Sequence, residues 1–198
     1  MTEKEKMIAG KVYKCLDEEL STALRKAKQL CHKYNDIFFE DEAAAKKIID
    51  ELLQAEHNDG YCVFTPPFWC DYGFNVKVGK NFYSNHNLVI LDCAEVTFGD
   101  NVFVGPNCGF YTAIHPIDAH QRNTGIELAK PIKVGSDVWF GGGVTVLPGV
   151  TIGDNVVICA GSVVVKDIPS GVVAVGNPCK PIRKITEADK LDLDDPNI

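Results

Sequence analysis

From Val76 onward the apolar positions of this chain recur every six residues. Starting at Ile132 the chain divides as IKVGSD, VWFGGG, VTVLPG, VTIGDN, VVICAG and SVVVKD. The first position of these units is Ile132, Val138, Val144, Val150, Val156 and then Ser162; the third is Val134, Phe140, Val146, Ile152, Ile158 and Val164. Upstream, VKVGKN, FYSNHN and LVILDC start at Val76, Phe82 and Leu88. Two additional residues, Ala94 and Glu95, precede VTFGDN, VFVGPN and CGFYTA, which start at Val96, Val102 and Cys108. Apolar residues two apart point the same way from a strand. Six residues are too few for a hairpin or helical repeat, but they fit a short strand and a bend wound as a coil, a parallel β-helix. Alternating strands of a sandwich would not hold one phase through so many consecutive units. Three units per coil, about 18 residues per turn, are expected. The period does not set the hand of the coil; the usual crossover preference favours a right-handed one.

Residues 114–131, IHPIDAHQRNTGIELAKP, break the pattern, yet the 24 residues from Cys108 to Ile132 keep its phase. This predicts a loop thrown out between two stacked coils, with a degenerate coil as the competing account. A long loop on a rigid scaffold is a place to look for function. Ahead of the repeats, residues 1–58 read as two or three helices. Leu16, Leu20, Leu24, Ala27 and Cys31 form one helical stripe; Ile48, Ile49, Leu52 and Leu53 form a second, after an acidic start at Glu40, Asp41 and Glu42. Asn58-Asp59-Gly60 is a stop signal. The organisation expected is therefore a helical segment 1–58 packed on a mainly β solenoid 59–185, with an acidic tail 186–198 that contributes little.

Composition changes this picture only by exclusion. Hydrophobic residues are 45% and charged residues 24% of the 198, which is ordinary globular usage and argues against a disordered chain, a collagen or a coiled coil. A net charge of −7 without a long basic run is a poor match to non-specific nucleic-acid binding. MTEKEKMIAGKVYK has no apolar stretch behind its charges, and no run of about 18 apolar residues exists, so neither a secretory signal nor a membrane span is expected. The eight cysteines include no CxxC pair. They are expected to be reduced, mostly buried thiols of a cytoplasmic protein.

Several segments carry a resemblance. Asp17, DYGFNVKVGKNFYSN (71–85), YTAIHP (111–116), the VWFGGG–VTVLPGVTIGDN–AGSVVVKDIP run and GNPCKPIRKI (176–185) resemble the sugar O-acetyltransferases. These are the maltose and galactoside acetyltransferases and their nodulation relative, within the hexapeptide-repeat acyltransferases. The resemblance implies a left-handed parallel β-helix with an N-terminal α-helical segment, and a homotrimer binding coenzyme A between neighbouring subunits. It also implies acetyl-CoA as co-substrate, a sugar or glycoside acceptor, and no metal.

Acetylation of a hydroxyl requires that the hydroxyl lose its proton as it attacks a thioester. His115, at the root of the aperiodic loop, carries a neutral imidazole suited to that task. By resemblance it aligns with the family's catalytic base. Glu127 in the same loop is a carboxylate that could orient the imidazole. Asn85 follows Ser84, which stands where the period demands an inward apolar residue. Its amide both accepts and donates, and by resemblance it contacts acceptor and coenzyme, while Tyr83 lines the acceptor site. Asp17, Asp71 and Asp92 are acceptor-side candidates, although Asp17 also reads as a helix cap. Galactoside members carry an acid where this chain has Cys93; with Asp71 and Glu127 this favours the maltose/glucose-like branch.

For the coenzyme, Gly142, Ala160 and Gly161 offer a small-residue edge for the pantetheine arm. Lys166, Lys180 and Arg183 offer cations for its phosphates. Val165 and Lys180 replace a hydroxyl residue and an Arg usual in the family. Trp139 is an outward position suited to an interface or to the adenine side. GxSxG, GxxxxGK and GxGxxG motifs are missing from the sequence, so direct transfer without an acyl-enzyme is expected. Two other readings compete. One is a zinc lyase of the gamma carbonic-anhydrase type using His86, His115 and His120, since three imidazoles leave one zinc position for water. The other is a non-catalytic scaffold.

Overall fold

The computed structural model describes residues 1–55 and 60–192. The six-residue units are the sides of a three-faced parallel β-helix. One face stacks Val76–Val78, Val96–Phe98, Ile132–Val134 and Thr151–Ile152. The second stacks Cys62–Phe64, Phe82–Ser84, Phe103–Val104, Val138–Phe140, Val156–Ile158 and Val172–Gly176. The third stacks Phe68–Cys70, Leu88–Leu91, Gly109–Tyr111, Thr145–Val146 and Val163–Val164. Neighbours within each face are parallel and hold the phase seen in the sequence: Val76 pairs with Val96, Val96 with Ile132, and Val138 with Val156. Ala94 and Glu95 are absorbed at a corner without disturbing the register.

First- and third-position residues fill the prism. Phe64, Phe82, Phe98, Phe110 and Phe140 form a column, with successive ring centroids 4.8, 5.1, 4.9 and 5.2 Å apart. Each such ring, fully buried, contributes about 1.5–3 kcal/mol. Ser84 takes an inward third position among them, is fully buried, and its hydroxyl has no hydrogen-bond partner among the described residues. The corners repeat as well. Asn81, Asn101, Asp137 and Asn155 all adopt positive φ, which short polar side chains tolerate best after glycine. The Asn81 amide donates to Asn101 Oδ1 at 2.9 Å, and Asn101 to Asp137 Oδ1 at 2.9 Å. At Gly99 a Cβ would lie 2.7 Å from the Gly135 backbone, so the coils approach too closely there for any side chain.

Both ends of the stack are covered, because a solenoid needs caps over its open strand edges. Helices α1 (Glu3–Ile8), α2 (Glu18–Ile37) and α3 (Glu42–Leu53) precede the first coil. Asp17 and Asp41 cap α2 and α3. From α2, Tyr34 Oη donates to Phe64 O at 2.8 Å; Asn35 donates to Phe68 O at 3.1 Å and accepts from Phe68 N at 2.9 Å. These bonds stand in for the missing preceding coil. Leu20, Ala27 and Cys31 of the expected stripe are buried, but Leu16 lies ahead of the helix and is exposed. The stop at Asn58-Asp59, and with it the 58/59 boundary, lies outside the described residues; Gly60 has positive φ. No helix among the described residues is long and apolar enough to cross a membrane.

At the other end Cys179–Lys184 folds back antiparallel on Val172–Gly176. Asp189, in a short 3-10 turn, grips Arg183 through two contacts of 2.8 and 2.7 Å; residues 193–198 lie outside the described residues. The segment 114–131 departs from a plain loop. Ala113–Ile114 and Ile126–Ala129 form an antiparallel hairpin around α4 (Ala119–Arg122), and the strand Tyr13–Lys14 pairs with its return arm. Strands this short, with partly exposed faces, leave no apolar period to read.

Phe98→Ala is expected to destabilise the fold by about 3–5 kcal/mol by opening a cavity in the column. Ser84→Ala, which removes a hydroxyl with no partner, should stay within about 1 kcal/mol of the parent or exceed it. Denaturant midpoints of the two variants check both; a severe loss in Ser84→Ala would overturn the reading of Ser84 as a filler.

Candidate active site

The N-terminal segment and the hairpin bury a second apolar cluster beside the main core: Met7, Tyr13, Leu20, Tyr72, Cys93, Ala94 and Ala129. A line of polar groups runs out of it. His115, on the outgoing side of the hairpin, is exposed; Glu127, on the return arm, keeps only 13% of its side chain accessible. Glu127 Oε1 lies 3.6 Å from His115 Nε2, and Oε2 accepts a 2.6 Å hydrogen bond from Tyr13 Oη. Burial, together with the neighbouring Cys93 and Glu127, pushes the Tyr13 phenol far above its ordinary range. It therefore stays protonated and donates.

The three aspartates divide. Asp92 is fully buried; Oδ1 accepts from the N–H groups of Asp71 and Tyr72 at 2.9 and 2.8 Å, Oδ2 accepts from Asn75 N at 3.4 Å, and the Asn75 amide donates to Asp92 O at 2.7 Å. It anchors the 71–75 loop and presents no surface to an acceptor. Burial pushes its carboxyl up to about 6; the Tyr72 N–H opposes the rise and the Asp71 charge adds to it. Asp71 is held by Lys28, whose ammonium donates to Asp71 Oδ1 at 2.9 Å and to Cys70 O at 2.8 Å, while Cys93 Sγ donates to Asp71 Oδ2 at 3.8 Å. Asp17 uses one oxygen, Oδ1, for both of its helix-capping bonds.

A groove of about 620 Å³ opens on the second face of the β-helix. Tyr83, Phe103 and Trp139 stand in one outward register along it. Asn85, Pro106, Gly141 and Gly142 form its corner. A Cβ on Gly105 would lie 2.7 Å from Gly142 N, and one on Gly141 would lie 2.5 Å from Ala160 N, so the coils stack backbone on backbone here. Thus Tyr83, Asn85, Trp139 and Gly142 come together, with Ala160 on the next coil. Val165 and Lys166 follow the third-face strand and lie at a different corner. Lys180 and Arg183 sit on the capping strand, where Asp189 occupies the Arg183 fork. That bond, the largest cause, holds the Asp189 carboxyl down to about 2.

Asn85 and His115 leave from different edges: Asn85 follows a second-face strand, His115 a third-face strand and its hairpin. The three histidines belong to different elements. His86 faces Pro66 O at the Asn85 corner and His120 is on α4. Among the described residues no group of three or more His, Cys, Asp and Glu side chains could hold a metal ion. Tyr13, Lys28 and Phe103 went unread in the sequence. Phe103 was findable as the outward neighbour of Val102 and Val104, in the phase of Trp139; the other two carry no signal of their own.

Residues 6–56 match the maltose acetyltransferase hexapeptide capping motif, and residues 131–166 match the bacterial transferase hexapeptide model of six repeats. A Saccharomyces cerevisiae protein, provisionally named an acetyltransferase, is 52% identical over 186 residues, 93% of this chain and 94% of its own length. A crystal structure of a maltose O-acetyltransferase from Clostridium difficile is 46% identical with a TM-score of 0.86, covering 94% of this chain and 99% of that one. The chain belongs to the maltose/galactoside O-acetyltransferase family of hexapeptide-repeat acyltransferases. A galactoside acetyltransferase solved in complex with coenzyme A is 38% identical with a TM-score of 0.88, covering 96% of this chain and 94% of that one. Membership accounts for the pairing of a helical cap with the repeats, since the capping motif covers the end of α1 and the whole of α2 and α3.

The buried Asp92 has a measurable signature. Between roughly pH 4 and pH 6 the unfolded chain loses this proton while the folded one keeps it, so the contribution of Asp92 to folding stability falls by about 3 kcal/mol as pH rises through that window and then levels. In Asp92→Asn that fall should be absent, and the variant should gain on the parent by the same amount between about pH 4 and pH 7. Chemical unfolding of both proteins at the two pH values checks this; a constant difference would overturn it.

Proposed function

We propose that this chain transfers the acetyl group of acetyl-CoA to a hydroxyl of a sugar, of maltose/glucose or galactoside type, in one direct step with His115 as general base. The observation that carries the reading is the line His115–Glu127–Tyr13 beside Asp71: an accessible imidazole backed by a carboxylate, next to a carboxylate able to accept from sugar hydroxyls. One imidazole nitrogen takes the proton of the attacking hydroxyl. The oxygen bonds to the thioester carbon, the carbon–sulfur bond breaks, and the sulfur leaves with the proton returned from the ring. The ring is positive in between, and Glu127 at 3.6 Å stabilises that charge. Asp71, fixed by Lys28, and the second oxygen of Asp17 orient the acceptor, with Tyr83 lining it. Asp71, Glu127 and the thiol Cys93 suit the maltose/glucose-like branch.

The groove of about 620 Å³ fits an extended pantetheine arm: apolar side chains along its length, and at its corner the Asn85 amide and the bare backbone of Gly142. Ala160, Val165, Lys166, Lys180 and Arg183 continue the coenzyme side, with Arg183 requiring release from Asp189 to meet a phosphate. Since Asn85 and His115 lie on different edges of one chain, we assign the complete site to the junction of two subunits in a homotrimer. Trp139 and Phe103, exposed at 56% and 44%, lie on the face that this places at the junction. Residues 1–58 roof the acceptor, and residues 59–185 form the platform. The eight unbridged thiols agree with a cytoplasmic setting.

With acetyl-CoA and a panel of maltose, glucose and galactosides, thiol release is expected with the maltose/glucose group foremost, and His115→Ala should lower kcat by about 10²–10⁴-fold. Undiminished turnover in that variant would remove the proposed base. A shared site makes a second prediction. His115→Ala and Asn85→Ala proteins, unfolded and refolded together, should regain about one quarter of the parent sites, the chance that a neighbouring pair supplies both intact groups. No gain on mixing would place both groups in one subunit.

A further inference from the structure

The Tyr13–Lys14 strand is only two residues long, yet it is fastened on every side. Tyr13 stands opposite Glu127 and Lys14 opposite Ile126 in the antiparallel register. Lys14 N donates to Glu3 Oε2 at 2.7 Å, and Cys15 N donates to Gly125 O at 3.0 Å. The Tyr13 ring is 1% exposed within the second apolar cluster. Its hydroxyl reaches the one Glu127 oxygen that does not face His115. A carboxylate is planar, so fixing one oxygen fixes the direction of the other.

We propose that Tyr13 is a positioning residue for the reaction: by holding Glu127 Oε2 it aims Oε1 at His115, and so makes the setting of the base depend on docking of the N-terminal segment. This rests on the reading of His115 as base, which it deepens. The phenol touches no reacting atom. A buried phenol that stays protonated donates steadily, which a solvent molecule in its place would not do with the same fixed direction. The arrangement also explains why a cap assigned to the acceptor should matter to the chemistry: the β-helix carries His115 and Glu127, but the group that orients the carboxylate arrives from residues preceding α2.

The test is a cycle in the full-length chain with Tyr13→Phe, Glu127→Gln, the double variant and His115→Ala. Tyr13→Phe keeps the ring and removes the hydroxyl. It is expected to lower kcat about tenfold, leaving KM for acetyl-CoA within about twofold. In the Glu127→Gln background it should cause no further loss, because the group it aims is already changed. A parent-like kcat in Tyr13→Phe, or the same fold loss in both backgrounds, would overturn the proposal, the latter showing a purely structural role. Should Tyr13→Phe not fold, Tyr13→Met, an apolar replacement of similar length, takes its place in the cycle. An active His115→Ala sinks the underlying reading instead; an inactive His115→Ala with parent-like Tyr13→Phe sinks only this one.

Discussion

Parallel coils bond to one another through their backbones, so each coil must offer its N–H and C=O groups at the same height as the coil below. Everything else in this chain accommodates that stacking. Apolar residues two apart must face inward at every side, and corners must turn in as few residues as possible. Any additional chain must leave and return at one point. Lys130 N donates to Thr112 O at 3.0 Å, closing the excursion that carries His115 and Glu127. The coil therefore continues at Ile132 in the register set by Val96. A loop so closed can vary in content without straining the stack, which is why chemistry can reside there.

Such a stack has two ends, and they are treated differently. The C-terminal end is folded over by its own chain as an antiparallel strand. The N-terminal end is covered by α2, whose Tyr34 and Asn35 bond the exposed strand edge directly. The same helix brings Lys28 to Asp71, and the strand before it brings Tyr13 to Glu127. Capping and site-building are thus one operation: the segment that satisfies the open end also sets two carboxylates.

The acidic residues around the site show how environment separates like groups. Asp92 is enclosed and bonded to loop amides, so it spends its charge on the backbone. Asp71 and Glu127 keep partial access, and each has one oxygen fixed by a donor from the N-terminal segment, Lys28 or Tyr13. The same carboxylate group serves as anchor in one place and as a directed acceptor in the other two, and burial is the difference.

The repeat was legible because a period enforced by stacking must be written into consecutive residues: the units from Val76 to Asp167, the inserted Ala94 and Glu95, and the interruption after Ala113 could all be read directly. His115 and Glu127 were legible as a pair for the same reason, since both lie in the one segment that the period excludes. Asn85 was flagged by Ser84, although Ser84 itself is a filler beneath the phenylalanine column. What the sequence did not reveal is whatever depends on two segments far apart in the chain. Asp92 reads like any acid until its burial is known, Leu16 reads like part of a helix that in fact begins after Asp17, and Tyr13 meets Glu127 across more than a hundred residues. Local order leaves a trace in neighbouring residues; a contact made only when the cap docks on the coil leaves none, so the fold alone decided it.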